Sequence, residues 1–395
     1  MKRVIFSAVA IFAIMFSSCS SDEVVTPPVE APATYVFNRG GNTSVSYSGQ
    51  TTRIKMAEEL VSALKVSTNT KAKLDGMFTH AAGNNDFTDA TLNTSSKNVR
   101  SKTAASADYF ASNTTEANAI KAKFDGYISS QVSEVFPNWA TNAVAGTAGK
   151  IQEAGGGSTR YVNAKGLEYN QAFAKSLIGA LMVDQMLNNY LSKKVLDEAT
   201  NVADNDAGTL ATGKNYTTME HKWDEAYGYL YGAEVDGASP KLGADSFLNK
   251  YLAKVDGNSN FKGIAKEIYE AFKLGRAAIV AKNYTLRDQQ IVIIKKAVSK
   301  VIAVRAVHYL QAGKATLATD KASAFHDLSE GYGFVHSLRF TQDTSGKVHL
   351  PVAEIEGFLT ALQAGNGFWT LTTKTLDDMS TRIAAVYGFT VDQAK

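Results

Sequence analysis

The sequence predicts an all-α protein built as a duplicated helical bundle, with a short extended or hairpin strap at its N-terminus. Three observations favour this fold class. Apolar residues recur at helical spacing from Thr51 onward, no convincing run of strands follows residue 50, and one His/Glu pattern occurs twice, 105 residues apart. Amphipathic helices without a sheet bury their apolar faces against each other, which gives one bundle or two bundles that share an interface.

Length and composition place the chain in the globular class. It has 395 residues, of which 45% are hydrophobic and 10% aromatic, enough for a substantial core. Loss of Lys2 and Arg3 with a cleaved signal would leave 39 basic residues (41 − 2) against 38 acidic ones, a net charge near +1. Because the charges nearly balance, we expect no nucleic-acid partner.

Residues 1–18 are predicted to be a lipoprotein signal peptide. Lys2 and Arg3 precede an apolar run, and small residues then lead to Cys19, the single cysteine of this sequence. Phe16 stands where leucine is usual in the cleavage motif. We expect cleavage before Cys19 and lipid attachment at its thiol, because several buried acyl chains anchor a protein stably in a membrane. A single cysteine leaves no pairing for an internal disulfide.

Residues 19–33 are predicted to be a lipidated tether. Three prolines between residues 27 and 32 favour an extended, unpaired chain. Asp22 and Glu23 follow the cysteine closely, which resembles the export signal of some Gram-negative surface lipoproteins. The expected location is therefore the outer membrane or the cell surface, and the membrane is an expected partner through the lipid anchor.

Residues 34–395 are predicted to form the all-α domain, with two pseudo-repeated bundles at about 34–235 and 236–395 as the finer division. At its start, two alternating segments surround a Gly-Gly-Asn turn and predict the strap. Helical periodicity then predicts helices at about 51–64, 120–136, 166–195, 216–232, 261–282, 285–312, 320–339, 351–364 and 373–387.

The repeated pattern is His-x-x-x-Glu-x-Tyr-Gly, which begins at His221 and again at His326. A spacing of four residues places the histidine and the glutamate on one helix face, and the glycine lies on the same face. Small residues there allow another backbone to approach closely. The sequence therefore predicts a polar stripe beside a tight helix contact in each half.

Two interpretations of this stripe remain open, and the structural one is favoured. In it, each pair hydrogen-bonds inside the core and locks the packing of the two halves. In the functional one, the imidazole nitrogen and the carboxylate oxygen bind a divalent metal such as iron or zinc, with further ligands from facing helices.

Two polar residues within apolar stripes are candidate partners for these pairs. An aspartate beside a pair would favour a metal, whereas an arginine would favour a salt-bridged network. The candidate metal ligands are His221, Glu225 and Asp184, and the candidate residues of the repeated site are His326, Glu330 and Arg305.

Several segments resemble an uncharacterised lipoprotein family of gut-type Gram-negative bacteria, whose members carry a domain of unknown function. They are the strap Tyr35-x-Phe37-x-Arg39, the helix segment His221-x-Trp223-Asp224-Glu225-Ala226-Tyr227-Gly228-Tyr229 and the segment His336-Ser337-Leu338-Arg339-Phe340. The resemblance covers nearly all of the mature chain. It implies location and fold more than activity.

The His/Glu helix, the duplication and the export signal are more distantly similar to imelysin-like proteins. Those are exported all-α proteins of two bundles with a Gly-x-His-x-x-Glu helix, regarded as peptidases or iron-uptake components. Here Met219 replaces the glycine, and the glutamate follows the histidine by four positions. The resemblance implies a helical bundle and, less directly, a metal-dependent hydrolase.

The expected function is a ligand-binding or uptake accessory module, with iron or another nutrient as candidate cargo. The expected partner is a small ligand or an envelope protein. A metal-dependent hydrolase of imelysin type is the alternative, and an envelope scaffold is the second one. An enzyme is less favoured, because a peptidase needs an activated water, a base and an electrophile. The sequence offers no complete set, so no catalytic residue is predicted.

Overall fold

The structure is a computed structural model that describes residues 28–343 and 345–395. The predicted signal peptide, Cys19 and the first part of the tether lie outside the described residues. Helices dominate the described chain, which confirms the all-α class. They are α1 (Ser48–Ala63), α2 (Lys71–Thr79), α3 (Ala90–Asn93), α4 (Thr114–Ser130), α5 (Tyr169–Leu177), α6 (Lys193–Leu196), α7 (Asn201–Ala207), α8 (Thr218–Tyr231), α9 (Leu248–Asp256), α10 (Ile264–Val280), α11 (Tyr284–Thr316), α12 (Lys321–Ser337), α13 (Val352–Leu362), α14 (Thr373–Tyr387) and α15 (Val391–Ala394).

The N-terminal segment 34–47, which we call the strap, contains the expected short hairpin. Strands β1 (Asn38–Arg39) and β2 (Asn42–Thr43) pair antiparallel. Gly40 and Gly41 between them have φ values of +58° and +81°. A two-residue turn with both φ values positive favours glycine, because a Cβ atom is strained there.

A second hairpin corrects the expectation that no strands follow residue 50. Strands β3 (Gly149–Gln152) and β4 (Thr159–Val162) pair antiparallel, with Gly149 opposite Val162. Each has only four residues, so the alternation of apolar and polar side chains is too short to stand out. The hairpin packs against α12.

Helix α11 is the central element of the fold. It spans 33 residues, which gives a rod of about 50 Å, and it packs against α9, α10, α12, α14 and α15. Its buried stripe includes Ile294, Val298 and Ile302, while Lys296 is exposed. No helix in the described ranges is long and apolar enough to cross a membrane.

Helices from the two predicted halves share one core. Helix α5 packs against α12, and α8 packs against α10. The contiguous cluster of buried side chains begins at Tyr35 and ends at Ala394. Duplication of a bundle, as distinct from duplication of the His/Glu pattern, stays a prediction.

The glycines of the repeated pattern lie at tight contacts. A Cβ atom on Gly228 would meet Tyr47 of the strap, and one on Gly333 would meet Lys175 of α5 and lie 2.9 Å from the Ser176 backbone nitrogen. Because these two glycines have no side chain, the strap packs closely on α8 and α5 packs closely on α12. The small residues of the polar stripe predict such close contacts.

The chain after α5 continues as two wide π-helical segments, Ile178–Val183 and Met186–Tyr190. Such segments widen a helical turn and shift the side chains that follow. Asp184 lies between them, and Tyr190 ends the second one beside α8.

Candidate functional site

The first His/Glu pair lies near the middle of α8, facing the end of the strap. His221 donates a hydrogen bond from Nδ1 to the Ser46 carbonyl at 3.0 Å. Its Nε2 atom is 3.9 Å from Oε2 of Glu225, and Gln50 of α1 donates to Oε1 of Glu225 at 3.0 Å. The pair is thus held between α8, α1 and the strap.

The surroundings of His221 favour its neutral form. Burial lowers the pKa of His221 below its ordinary 6.5, although the Glu225 carboxylate opposes the shift. A carbonyl only accepts hydrogen bonds, so the single proton of the neutral ring lies on Nδ1. Nε2 of His221 and Oε2 of Glu225 therefore face each other as two acceptors, and the gap between them suits a donor from a bound molecule.

These side chains line a pocket of about 400 Å³, which we call the strap pocket. Tyr216 stacks on the His221 ring with centroids 4.5 Å apart, and Tyr190 closes another wall beside Glu225. Burial and the neighbouring Glu225 carboxylate raise the pKa of Tyr190, which keeps its hydroxyl protonated. The remaining charged side chains that line the pocket are Arg53, Lys97, Lys102 and Lys214.

A buried ion cluster on a neighbouring face of α8 fixes the strap that forms one pocket wall. Arg276 of α10 is fully buried; its Nη1 donates to Glu220 at 2.9 Å, and its Nε donates to Asp224 at 3.1 Å. Arg39 of the strap reaches Glu220 with two hydrogen bonds, of 2.8 and 2.9 Å. The Tyr35 hydroxyl donates to Asp224 at 2.8 Å. Two helices and the strap thus meet at two carboxylates.

The charges of this cluster compensate each other unequally. Burial would raise the pKa of Glu220, but Arg39 and Arg276 outweigh it, and the pKa is lowered. At Asp224 burial prevails over the nearby Arg276 and raises the pKa to about 6. Breaking a buried pair by removal of one partner leaves an uncompensated charge, which costs about 3–5 kcal/mol. The strap is therefore a fixed element of the fold.

Asp184 is not among the residues that line the strap pocket. Its buried carboxylate accepts hydrogen bonds from the backbone nitrogens of Ala105 and Ser106, both at 3.0 Å, and from the Asn188 side chain at 3.2 Å. Burial raises the pKa of Asp184 to about 6 in spite of these bonds. These hydrogen bonds connect the loop at Ala105 and Ser106 to the π-helical segments.

The second His/Glu pair forms ion pairs with other side chains of the protein. His326 Nδ1 is 2.9 Å from Oε1 of Glu168, and its Nε2 is 3.8 Å from Oε1 of Glu330. Lys175 of α5 pairs with Glu330 at 3.2 Å. Burial lowers the pKa of His326, but the two carboxylates outweigh it and raise the pKa overall. The repeated pattern therefore forms a salt-bridged structural cluster here.

Arg305 reaches this cluster through aromatic rings. Its guanidinium lies 4.4 Å from the ring centroid of Tyr309 and 5.4 Å from that of Tyr251. The Tyr251 hydroxyl donates to Glu330 at 3.4 Å. The expected association of Arg305 with the second pair thus takes the form of cation–π contacts, which are favourable for a weakly hydrated guanidinium.

The described residues include no group of three or more His, Cys, Asp or Glu side chains arranged to hold a metal ion. His221 and Glu225 come together, whereas the third candidate ligand, Asp184, is occupied elsewhere. The predicted lipidation residue, Cys19, falls outside the described range. The metal prediction therefore gains no third ligand in this part of the chain.

Most of the side chains around the first pair were not predicted from the sequence. Arg276 interrupts the buried stripe of Ile268, Phe272 and Ile279 in α10, the same signal that singled out Asp184 and Arg305. Arg53 interrupts the buried stripe of α1 in a similar way. Lys97 lies in a loop and Lys102 ends a three-residue 3-10 helix, Arg100–Lys102, and neither segment is long enough for helical periodicity to carry a signal.

The fold and the site define an all-α protein with a polar pocket between an N-terminal strap and a His/Glu helix. The chain belongs to the family described as "Domain of unknown function (DUF4856)", whose model matches residues 32–390. This match bears out the expected domain of unknown function. No curated protein and no solved structure matches the chain.

Proposed function

We propose that this protein is a lipoprotein of the outer membrane or the cell surface that binds a small polar ligand in the strap pocket, as a ligand-binding or uptake accessory module. The observation that carries the proposal is the contrast between the two His/Glu pairs. Glu330 of the second pair has an ion-pair partner in Lys175, whereas His221 and Glu225 face each other across a pocket as two acceptors.

The dimensions and lining of the pocket support a small ligand. Binding pockets commonly enclose about 300–1,000 Å³ and combine apolar or aromatic walls with a few fixed polar groups. The strap pocket has about 400 Å³, two tyrosines and the His221/Glu225 pair. Its wall is held by Arg39 and Arg276 through ion pairs with the buried Glu220, so the polar groups are fixed before a ligand arrives, which lowers the entropic cost of binding.

A pair of α1 variants tests the pocket. Ser48 is exposed and lines the pocket, whereas Lys55 is exposed on the same helix and lies outside the pocket lining. The parent protein, Ser48→Trp and the matched control Lys55→Trp are equilibrated with an extract of the growth medium. Retained compounds are then measured by mass spectrometry and bound metals by elemental analysis.

The parent and the Lys55 control are expected to retain the same compound, and the Ser48 variant to lose it. Retention by all three proteins, or by none, would contradict the proposal. Stoichiometric iron or zinc that disappears in His221→Ala would favour the metal-dependent alternative instead.

The membrane anchor has its own test. Labelled palmitate should be incorporated into the parent protein and not into Cys19→Ala. The parent protein should be found in the outer-membrane fraction. A protein that carries no label and fractionates without membranes would refute the lipoprotein assignment while leaving the pocket untouched.

A further inference from the structure

The strap pocket carries an excess of positive charge. Arg53, Lys97, Lys102 and Lys214 line it, and Glu225 is the one carboxylate side chain in its lining. Within residues 28–343 and 345–395, none of these four cations forms a salt bridge, whereas Arg39, Arg276 and Lys175 all do. Glu225 therefore offsets only part of the positive charge of the pocket.

Arg53 is the most informative of these cations because it is buried, with 7% of its surface exposed. Its Nε donates to the Asn98 carbonyl at 3.1 Å, and its Nη1 donates to the Gly49 carbonyl at 3.3 Å. Nη2 makes no hydrogen bond to the described residues. Buried arginines are ordinarily paired with a carboxylate, because an unpaired buried charge is costly. The guanidinium of Arg53 has no such partner among the described residues.

Lys102 gives a second indication that the pocket lacks negative charge. Burial lowers the pKa of Lys102, and the charge of Arg53 lowers it further, while Glu225 opposes the shift. Cations crowd together in a partly desolvated pocket only at a cost in energy. A bound anion would remove that cost.

The N-terminus of α1 opens into the same end of the pocket. Tyr47, at the N-cap, makes no side-chain capping hydrogen bond, and Ser48 and Gly49 of the first turn line the pocket. The first amide groups of a helix point outward with a partial positive charge and bind anions. This 16-residue helix adds to the attraction exerted by Arg53.

The part of the pocket formed by α8 has a different chemistry. His221 Nε2 and Glu225 Oε2 are acceptors 3.9 Å apart, and the stacked Tyr216 and His221 rings present a flat surface. Hydroxyl groups of a ligand can donate to two such acceptors. Sulfate has no donor for them at neutral pH, and the hydrogen phosphate ion has a single hydroxyl, whereas a sugar anion has several.

We propose that the strap pocket binds a small hydroxylated anion, such as a sugar acid, a sugar sulfate or a sugar phosphate. Its anionic group lies against Arg53, Lys97, Lys102 and the N-terminus of α1, and its hydroxyls donate to His221 and Glu225. This assignment rests on the ligand-binding function proposed above and specifies the chemical class of the ligand.

Calorimetric titration of the full-length lipidated protein in detergent tests the assignment. The probes are glucuronate, glucose 6-sulfate and glucose 6-phosphate, with glucose, acetate, inorganic sulfate and inorganic phosphate as references. We expect at least one of the three sugar anions to bind about tenfold or more tightly than glucose and than the reference anion with the same charged group. The affinity should fall as salt is raised, because exposed charges are screened. The three sugar anions distinguish carboxylate, sulfate and phosphate as the bound group.

Two sets of variants test the cationic side chains and the α8 side chains of the pocket separately. Lys97→Gln combined with Lys102→Gln should weaken sugar-anion binding by about tenfold or more, while Lys55→Gln, on the outer face of α1, should leave it unchanged. Glu225→Gln should remove the preference for a sugar anion over the corresponding inorganic anion. Arg53→Met should abolish binding, and its melting temperature shows whether the fold survives the loss of the hydrogen bonds from Arg53 to the Asn98 and Gly49 carbonyls. The lysine pair keeps the test valid if that variant fails to fold.

The outcomes that overturn the ligand class differ from those that overturn the binding function. Equal affinity for glucose and for the sugar anions, or a double-lysine variant that binds like the parent, would overturn the anionic class while binding itself stands. Equal affinity for sugar phosphate and inorganic phosphate would mean an adventitious ion only. A neutral or cationic compound retained from the medium extract would also overturn the class, whereas retention of no compound would overturn the binding function.

Discussion

Arg39 and Glu220 form a two-pronged ion pair between the strap and α8, with Nη1–Oε2 at 2.8 Å and Nη2–Oε1 at 2.9 Å. The same Glu220 carboxylate accepts a hydrogen bond from Arg276 at 2.9 Å. Glu220 therefore serves the strap and α10 at once. Since Ser46 at the end of the strap contacts His221, the ion pair also holds one wall of the pocket.

Arg39→Ala is expected to lower the free energy of unfolding by about 1–3 kcal/mol, because it removes charge-assisted hydrogen bonds from a buried carboxylate. Chemical denaturation measures this change. Hydrogen exchange should become faster in the strap. The control is Arg382→Ala, which removes an exposed pair with Glu354 and should change stability little. Equal losses in the two variants would contradict the anchoring role of Arg39.

Gly333→Ala is expected to destabilise the protein by about 1–3 kcal/mol, because the added methyl group overpacks the contact between α12 and α5. The new Cβ atom would lie 2.9 Å from the Ser176 nitrogen. Gly357→Ala in α13 is the matched control, since nothing lies within 4 Å of a Cβ atom there, and alanine in an exposed helix should stabilise by about 0.5–1 kcal/mol. Thermal and urea denaturation give both values. The tight contact would be disproved by a neutral Gly333 variant.

Asp184 is expected to make stability depend on pH. Burial raises its pKa from 3.8 to about 6, so between these values the folded protein holds a proton that the unfolded chain has lost, and stability falls as pH rises. Relative to Asp184→Asn, the parent should gain about 1 kcal/mol of unfolding free energy from about pH 7 to about pH 5. Asp378→Asn, at an exposed site on α14, is the control. Parallel pH profiles of the parent and Asp184→Asn would rule the shift out.

The two histidines of the repeated pattern are expected to titrate in opposite directions from the ordinary 6.5. His221 should remain neutral to lower pH and His326 should remain charged to higher pH. Accordingly, His326 stabilises the fold at low pH and loses this effect as pH rises through its folded pKa, while His221 destabilises the fold once pH falls below 6.5. Imidazole NMR signals, assigned with His221→Gln and His326→Gln, measure both values. A higher midpoint for His221 would contradict the structure.

Long elements of the fold were predictable because their apolar residues repeat over several turns. Helix α14 spans Thr373–Tyr387, the predicted range 373–387, and α11 extends only a few residues beyond its predicted range. Short elements escaped notice: α2, α7, α9 and the hairpin β3–β4 lack enough residues for a period to be recognised. Tertiary contacts, which the sequence does not display, stabilise them.

The candidate site was predictable only in part, for a similar reason. The spacing of His221 and Glu225 indicated that both lie on one face, and their separation of 3.9 Å agrees with this. Of the cations that line the same pocket, Arg53 comes from α1, Lys97 from a loop and Lys102 from a short 3-10 helix, all more than 100 residues earlier in the chain. No local pattern in these segments indicates that they lie near α8.

The strap has a consequence for the order in which the protein folds. It is the first folded segment of the described chain, yet its partners Glu220, Asp224 and Arg276 follow 181, 189 and 232 residues later, counted from Arg39, Tyr35 and Ser44. Closing such long loops slows folding. During synthesis the strap therefore has to wait until α10 has been made, and the pocket is completed only when the first segment of the domain docks onto one of the later ones.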